Sequence, residues 1–191
     1  MIRRAAAALG ALACALALSA CGGGGGQKEI VFSILSAEDQ ANFGPYWAPL
    51  LADLGKATGT KVTARFSPTY TSLVEGMRAN QVQAGWFSAE PALDAVQRAQ
   101  GQVFARTVDL EGHDTYNSVI ITRKGSPVTL DKVLSCDKTL SFGMADVKST
   151  SGTLAPEFYL FKPHNIDVNS CFKVLRIGTH QANLFGVSNG L

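Results

Sequence analysis

No excess of charge of either sign marks this chain. It carries 17 Lys and Arg against 15 Asp and Glu, and two of the basic residues, Arg3 and Arg4, sit in an N-terminal stretch that reads as a leader. Without residues 1–20 the balance is 15 basic (17 − 2) against 15 acidic. A body with no basic surplus has no electrostatic footprint for nucleic acid, so none is expected as a partner. Cysteine is scarce, with four in all. Neither Cys136 nor Cys171 has paired His or Cys neighbours to complete a tetrahedral set, so we expect no metal, and no cofactor. There is no G-x-S-x-G elbow and no internal repeat. The one long apolar run, residues 5–18, is too short for a comfortable membrane span.

What is present begins with that run. Arg3 and Arg4 form a basic n-region, residues 5–18 an apolar h-region, and Leu18-Ser19-Ala20-Cys21 places small residues before a cysteine. This resembles a bacterial lipoprotein box. Residues 1–20 are then a signal peptide, and residues 21–27 hold a lipidated Cys21 and a Gly-rich tether (Gly22 to Gly26) without core-forming ability. The expected location is periplasmic, tethered to a membrane. Export meets oxidising conditions, so a bond between Cys136 and Cys171 is allowed. Each precedes a strand-like run (139–142 and 172–177). Spacing alone does not set their Cα separation, and the pairing stays open at this point.

The rest alternates strand and helix. Strand patterns cover 29–35, 61–66, 82–86, 102–108, 115–122, 139–142 and 172–177. Helical patterns cover 41–57 (Trp47, Leu50, Leu51 and Leu54 on one face), 73–78, 91–100, 129–134 and a last one from about 180. This order argues an α/β fold with a largely parallel sheet, whose ligands sit beyond the carboxyl ends of the strands. Tyr70, Trp86-Phe87-Ser88, Ser149-Thr150-Ser151 and Thr179-His180 all fall at strand-to-helix junctions.

The most distinctive stretch is Asp146-Val147-Lys148-Ser149-Thr150-Ser151-Gly152-Thr153. Three hydroxyl residues of N-cap type precede Leu154, Phe158 and Phe161 at helical spacing, with Pro156 in the opening turns. A helix start offers free N–H groups and partial positive charge, which suits an anion. Composition alone favours an ordinary capped surface helix. The position at a strand-to-helix junction shifts the balance toward an anion cradle.

Residues 29–189 resemble the phosphonate-binding protein family of bacterial ABC importers, which has the type II periplasmic-binding-protein fold. The resemblance is carried by Phe66-Ser67-Pro68-Thr69-Tyr70 with Gly76-Met77-Arg78 and Trp86, then by Gly101-Gln102-Val103-Phe104-Ala105 with Tyr116-Asn117-Ser118. Phe142-Gly143 through Ser149-Thr150-Ser151-Gly152 follows, then Gly178-Thr179-His180-Gln181-Ala182-Asn183 with Val187-Ser188-Asn189. It implies two lobes, 28–118 and 119–191, the second incomplete because the family continues past this point. It also implies a phosphonate, phosphite or phosphate held by Tyr70, Tyr116, Ser149, Thr150, Ser151 and His180, with an ABC permease and ATPase as partners. Hydroxyls, an imidazole N–H and helix-start N–H groups can donate to such an anion without an arginine. Without the family, each tyrosine reads as a half-buried aromatic at a strand end and His180 as a helix-start polar residue. Val147 and Lys148 stand where the family more often has Pro and Asn. Lys148 adds a cation beside the cradle, either strengthening anion attraction or facing solvent.

Two other functions compete with this one. A Ser/His hydrolase would use Ser149 or Ser151 with His180 and Asp146, but Asp146 lies in the serine loop itself, a poor place from which to orient His180. A sensory domain reporting to a membrane partner would share the same cleft. The expected function is solute capture, not catalysis.

Overall fold

β1 (Glu29–Leu35) is buried at Phe32, Ser33 and Ile34, as suits a strand covered on both faces of a parallel sheet. The computed structural model describes residues 29–35 and 40–190. The leader, Cys21 and the glycine tether lie outside the described residues.

β1 is the middle strand of a three-stranded parallel sheet, order β2-β1-β3, with β2 at Lys61–Ser67 and β3 at Ala84–Gly85. Two helices pack with this first sheet: α1 (Gln40–Thr58), through Leu51 with Trp47 and Leu54, and α2 (Tyr70–Arg78), through buried Leu73 and Val74. Leu50, expected on the buried face of α1, is instead exposed: it stands about 100° round the helix from Leu51. α3 (Ala89–Ala99) follows β3 and lies beside α2. Inside this otherwise apolar core the Ser33 and Ser67 hydroxyls share a 2.7 Å hydrogen bond.

The second sheet pairs β4 (Ser141–Ala145) with β5 (Lys173–Gly178), also parallel. Its core joins Val133 of α4 (Leu130–Leu134), Phe161, Val168 and Cys171 of α5 (Val168–Cys171), and Phe172. Phe142, Phe161 and Phe172 form a ring cluster with centroids 5.2–5.6 Å apart. Cys136 and Cys171 are joined at its edge, with Cα atoms 4.7 Å apart. The last helix, α6 (His180–Asn189), lays Asn183 against Gly143 of β4, where a side chain on residue 143 would collide with the amide.

Three expectations need correction. Residues 102–108 and 115–122 form no strand. Both have strand composition, but a strand needs a hydrogen-bonding neighbour. Val103, Phe104, Val108 and Val119 are all exposed. The strand expected at 82–86 is regular only over Ala84–Gly85, although the Gln83 and Trp86 N–H groups also bond to the Val31 and Ser33 carbonyls of β1. Finally, the helix after the hydroxyl loop is not regular. It winds through wide π-type turns over Thr150–Leu154 and Pro156–Phe161, and the Leu154 N–H reaches back five residues to the Ser149 carbonyl. Pro156 has no N–H to give to the carbonyl four residues earlier, and its ring crowds that carbonyl, which favours opening the turn.

Candidate functional site

Each sheet delivers its helices from the same edge. β2 leads to α2, β3 to α3, β4 to the wide-turned helix and β5 to α6. Four helix starts, whose first N–H groups have no partner within the helix ladder, therefore lie at the carboxyl ends of parallel strands.

Most are capped from within. Thr69 and Ser72 exchange backbone-to-hydroxyl bonds at the start of α2 (3.0 and 3.2 Å), Ser149 accepts from the Gly152 N–H (3.1 Å), and Thr179 accepts from the Ala182 N–H (3.0 Å). α3 is different. Ser88 holds its cap position without a side-chain cap bond. The Glu90 N–H is instead accepted by Thr150 Oγ1, from the second sheet's loop, at 3.0 Å, and the same hydroxyl donates to Ser88 Oγ at 3.3 Å. Ser88 also lies close enough to the Tyr70 phenol to oppose the rise in its pKa. The Thr150–Ser88 bond thus crosses from one lobe to the other beside Tyr70.

The hydroxyl loop is held at both ends. Asp146 takes the Lys148 N–H on Oδ1 (2.8 Å) and the Ser149 N–H on its carbonyl (2.8 Å). Thr153 donates to the Ala145 carbonyl at 3.1 Å. The Ser118 hydroxyl donates to the Ser151 carbonyl at 2.6 Å. Ser149 is 3 % exposed. His180 closes in from the start of α6: a Cβ built on Gly152 would lie 3.1 Å from His180 Cε1 and 3.1 Å from Ser149 Oγ. Gly178, at φ +90°, lets the chain turn out of β5 just before it.

Tyr70, 8 % exposed, is the first residue of α2 rather than a strand-end residue. Burial pushes its phenol above the ordinary range, Ser88 opposes this, and Tyr116 and Asp146 add to it. The phenol therefore keeps its proton at neutral pH and can donate it. Tyr116 is 67 % exposed and belongs to no strand, yet stands near enough for its charge to be felt by Tyr70. Tyr70, Ser149, Thr150, Ser151 and His180 are therefore neighbours, with Tyr116 at the margin. Ser88 and Ser118 lie in stretches that the sequence marks, but neither they nor the Glu90 N–H stand out there as site residues. A serine one residue before a helix is only an ordinary cap signal, and what makes Ser88 notable is a partner 62 residues away.

Lys148 is part-buried and already engaged rather than free for an anion. Its ammonium is paired with Glu90 Oε1 at 2.8 Å and Asp94 Oδ2 at 2.9 Å. Among the described residues, one group has metal-ligand proximity, Asp109, Glu111 and His113, all exposed. Its closeness has a simpler cause. Asp109 Oδ1 accepts the N–H groups of Glu111 and His113, and Oδ2 pairs with His113 Nδ1 at 2.9 Å, a self-contained turn. Among the described residues no helix is long and apolar enough to cross a membrane.

The chain is 42% identical over 164 residues to the phosphonates-binding periplasmic protein of Escherichia coli (strain K12), covering 85% of this chain and 48% of that one. It superimposes with a TM-score of 0.80 and 38% identity on a binding protein component of an ABC phosphonate transporter from Pseudomonas aeruginosa, covering 86% of this chain and 55% of that one. A more distant likeness, TM-score 0.65 at 19% identity, is to PhnD1 of Prochlorococcus marinus (MIT 9301) in complex with methylphosphonate, over 86% and 61% of the two chains. It bears on the fold, which is the two-lobed α/β fold expected above. The chain thus spans about half the length of the curated relative it matches, 48%. From residue 32 to 191 it matches the periplasmic substrate-binding proteins of phosphonate ABC transporters, and it belongs to that family.

Proposed function

We propose that this chain carries the anion-holding cleft of a solute-binding component of an ABC importer, which captures a phosphonate or a related phosphorus oxyanion (phosphite, phosphate) for uptake. Ser149, Thr150, Ser151, His180, Tyr70 and Tyr116 are the ligand residues. Residues 28–118 and 119–191 belong to the two lobes, and the Ser118–Ser151 bond sits at their boundary. Cys21 carries the lipid that tethers the exported body to the membrane, where a permease and its ATPase receive the cargo.

The observation behind this reading is the meeting of helix starts, alcohols and one imidazole around Gly152. A doubly charged tetrahedral head group needs several donors converging within hydrogen-bond reach, and neutral donors backed by helix N-termini supply them. The site favours capture over hydrolysis. Asp146 turns Oδ1 to the Lys148 N–H inside the loop, and Ser149 Oγ accepts from Gly152, so neither is arranged as part of a nucleophile–base–acid relay.

Isothermal titration of the full-length protein with 2-aminoethylphosphonate, phosphite and phosphate is the test. At least one should bind at one site per chain. Ser151→Ala should weaken it about 10- to 100-fold, since a hydrogen bond to a charged group contributes about 1.5–3 kcal/mol. No heat from any of the three rejects the proposal.

A further inference from the structure

Lys148, the residue just before the three alcohols, also ties their loop to the other lobe through Glu90 and Asp94. We propose that Lys148 is an interlobe latch, whose ion pairs to Glu90 and Asp94 on α3 seat the hydroxyl loop against the first lobe and set how long the anion is held. The proposal rests on the cleft reading above and adds a positioning residue to it.

The geometry is specific. Lys148 immediately precedes Ser149. Its own N–H is fixed to Asp146, as is that of Ser149, so a pull on the Lys148 side chain is passed to the three alcohols through a short, braced segment. On the opposite side, Glu90 is gripped twice from the same loop, by Thr150 at its N–H and by Lys148 at its carboxylate. The three partners are largely shielded, with side chains 32 % (Lys148), 28 % (Glu90) and 15 % (Asp94) exposed. Glu90 Oε2 is buried with no hydrogen-bond partner, so the ammonium is what offsets the burial of this carboxylate.

The pairs extend into a chain of alternating sign. Asp94 also faces Arg98 at 3.4 Å, and Arg98 pairs with Glu75 on α2. Networks of this kind hold geometry better than isolated surface pairs. The titration behaviour agrees with the geometry. Lys148 is held above its ordinary range first by Glu90 and then by Asp94, and Asp94 is held low first by Lys148.

A latch and a plain cation make opposite forecasts. If Lys148 acted only by attracting the ligand's charge, removing a nearby carboxylate would tighten anion binding. If it acts by joining the lobes, removing either partner lowers the closed population and weakens binding by that factor, mostly through faster release. Full-length protein and its Lys148→Met, Asp94→Asn and Lys148→Arg variants are titrated with 2-aminoethylphosphonate, phosphite and phosphate. Release is followed by stopped-flow tryptophan fluorescence, with unfolding curves to verify the fold. Lys148→Met and Asp94→Asn should each raise the Kd and the release rate roughly 3- to 10-fold, as expected for a partly shielded charge pair, and Lys148→Arg should restore much of the loss. Wild-type binding with Asp94→Asn unchanged or tighter overturns the latch and leaves the cleft reading standing. A wild-type protein that binds none of the three overturns both.

Discussion

Gly152 has no room for a side chain. A methyl group there would run into the Ala145 Cβ and crowd His180 and Ser149. Gly152→Ala must push β4, the hydroxyl loop and the imidazole apart. Overpacking of this kind costs about 1–3 kcal/mol, so denaturant unfolding should show a loss of that size, together with weaker phosphonate binding. Wild-type stability in the variant would show that the loop yields freely. Tyr70 makes a second forecast at this scale. Its folded-state pKa lies above the unfolded value, about 10, chiefly through burial. The folded protein then binds the proton more tightly than the unfolded chain does. The associated stability is complete below about pH 10 and is lost as pH rises through the higher folded value. Tyr70→Phe should remove that alkaline decline, and parallel stability curves for the two proteins between neutral and strongly alkaline pH would contradict it. Tyr70 and His180 stand at strand-to-helix junctions that the sequence marks, but only the family resemblance singles them out as ligand residues. Their closeness to the alcohols is not legible there.

Among the elements, the bond between Cys136 and Cys171 ties the loop after α4 to the end of α5, across 35 residues of sequence. Closing a loop of that length removes about 3–4 kcal/mol of unfolded-state entropy. The Cys136→Ser, Cys171→Ala double variant should melt at a clearly lower temperature, and the wild-type protein should fall to the same level in reductant. A reductant-insensitive melting point in the wild type would argue that the bond adds nothing. Most elements could be read from the sequence, because burial in a parallel sheet and helical apolar spacing leave plain patterns. α2 starts three residues before the expected Leu73 because Thr69 and Ser72 cap each other, and a serine in place of the usual acidic partner gives a weak signal. The segments 102–108 and 115–122 misled for the opposite reason: their residues suit a strand, but composition cannot supply a pairing partner. The wide turns at Pro156 follow from one missing N–H, whose local effect spacing does not reveal.

At the scale of the molecule, the two sheets meet through contacts between residues 33 to 62 positions apart: Ser118 with Ser151, Thr150 with Ser88 and Glu90, and Lys148 with Glu90 and Asp94. No periodicity encodes such pairs, which is why the alternation of strands and helices was legible and the joint between the lobes was not. The buried Ser33–Ser67 hydroxyl pair bears on the same joint from a distance. Sliding β1 by one residue along β2 would turn these alcohols toward opposite faces and strand each in hydrocarbon. Because Tyr70 follows Ser67 by only three residues, two hidden alcohols act as a ruler for the cleft. They fix where a phenol at its rim must stand before any guest arrives.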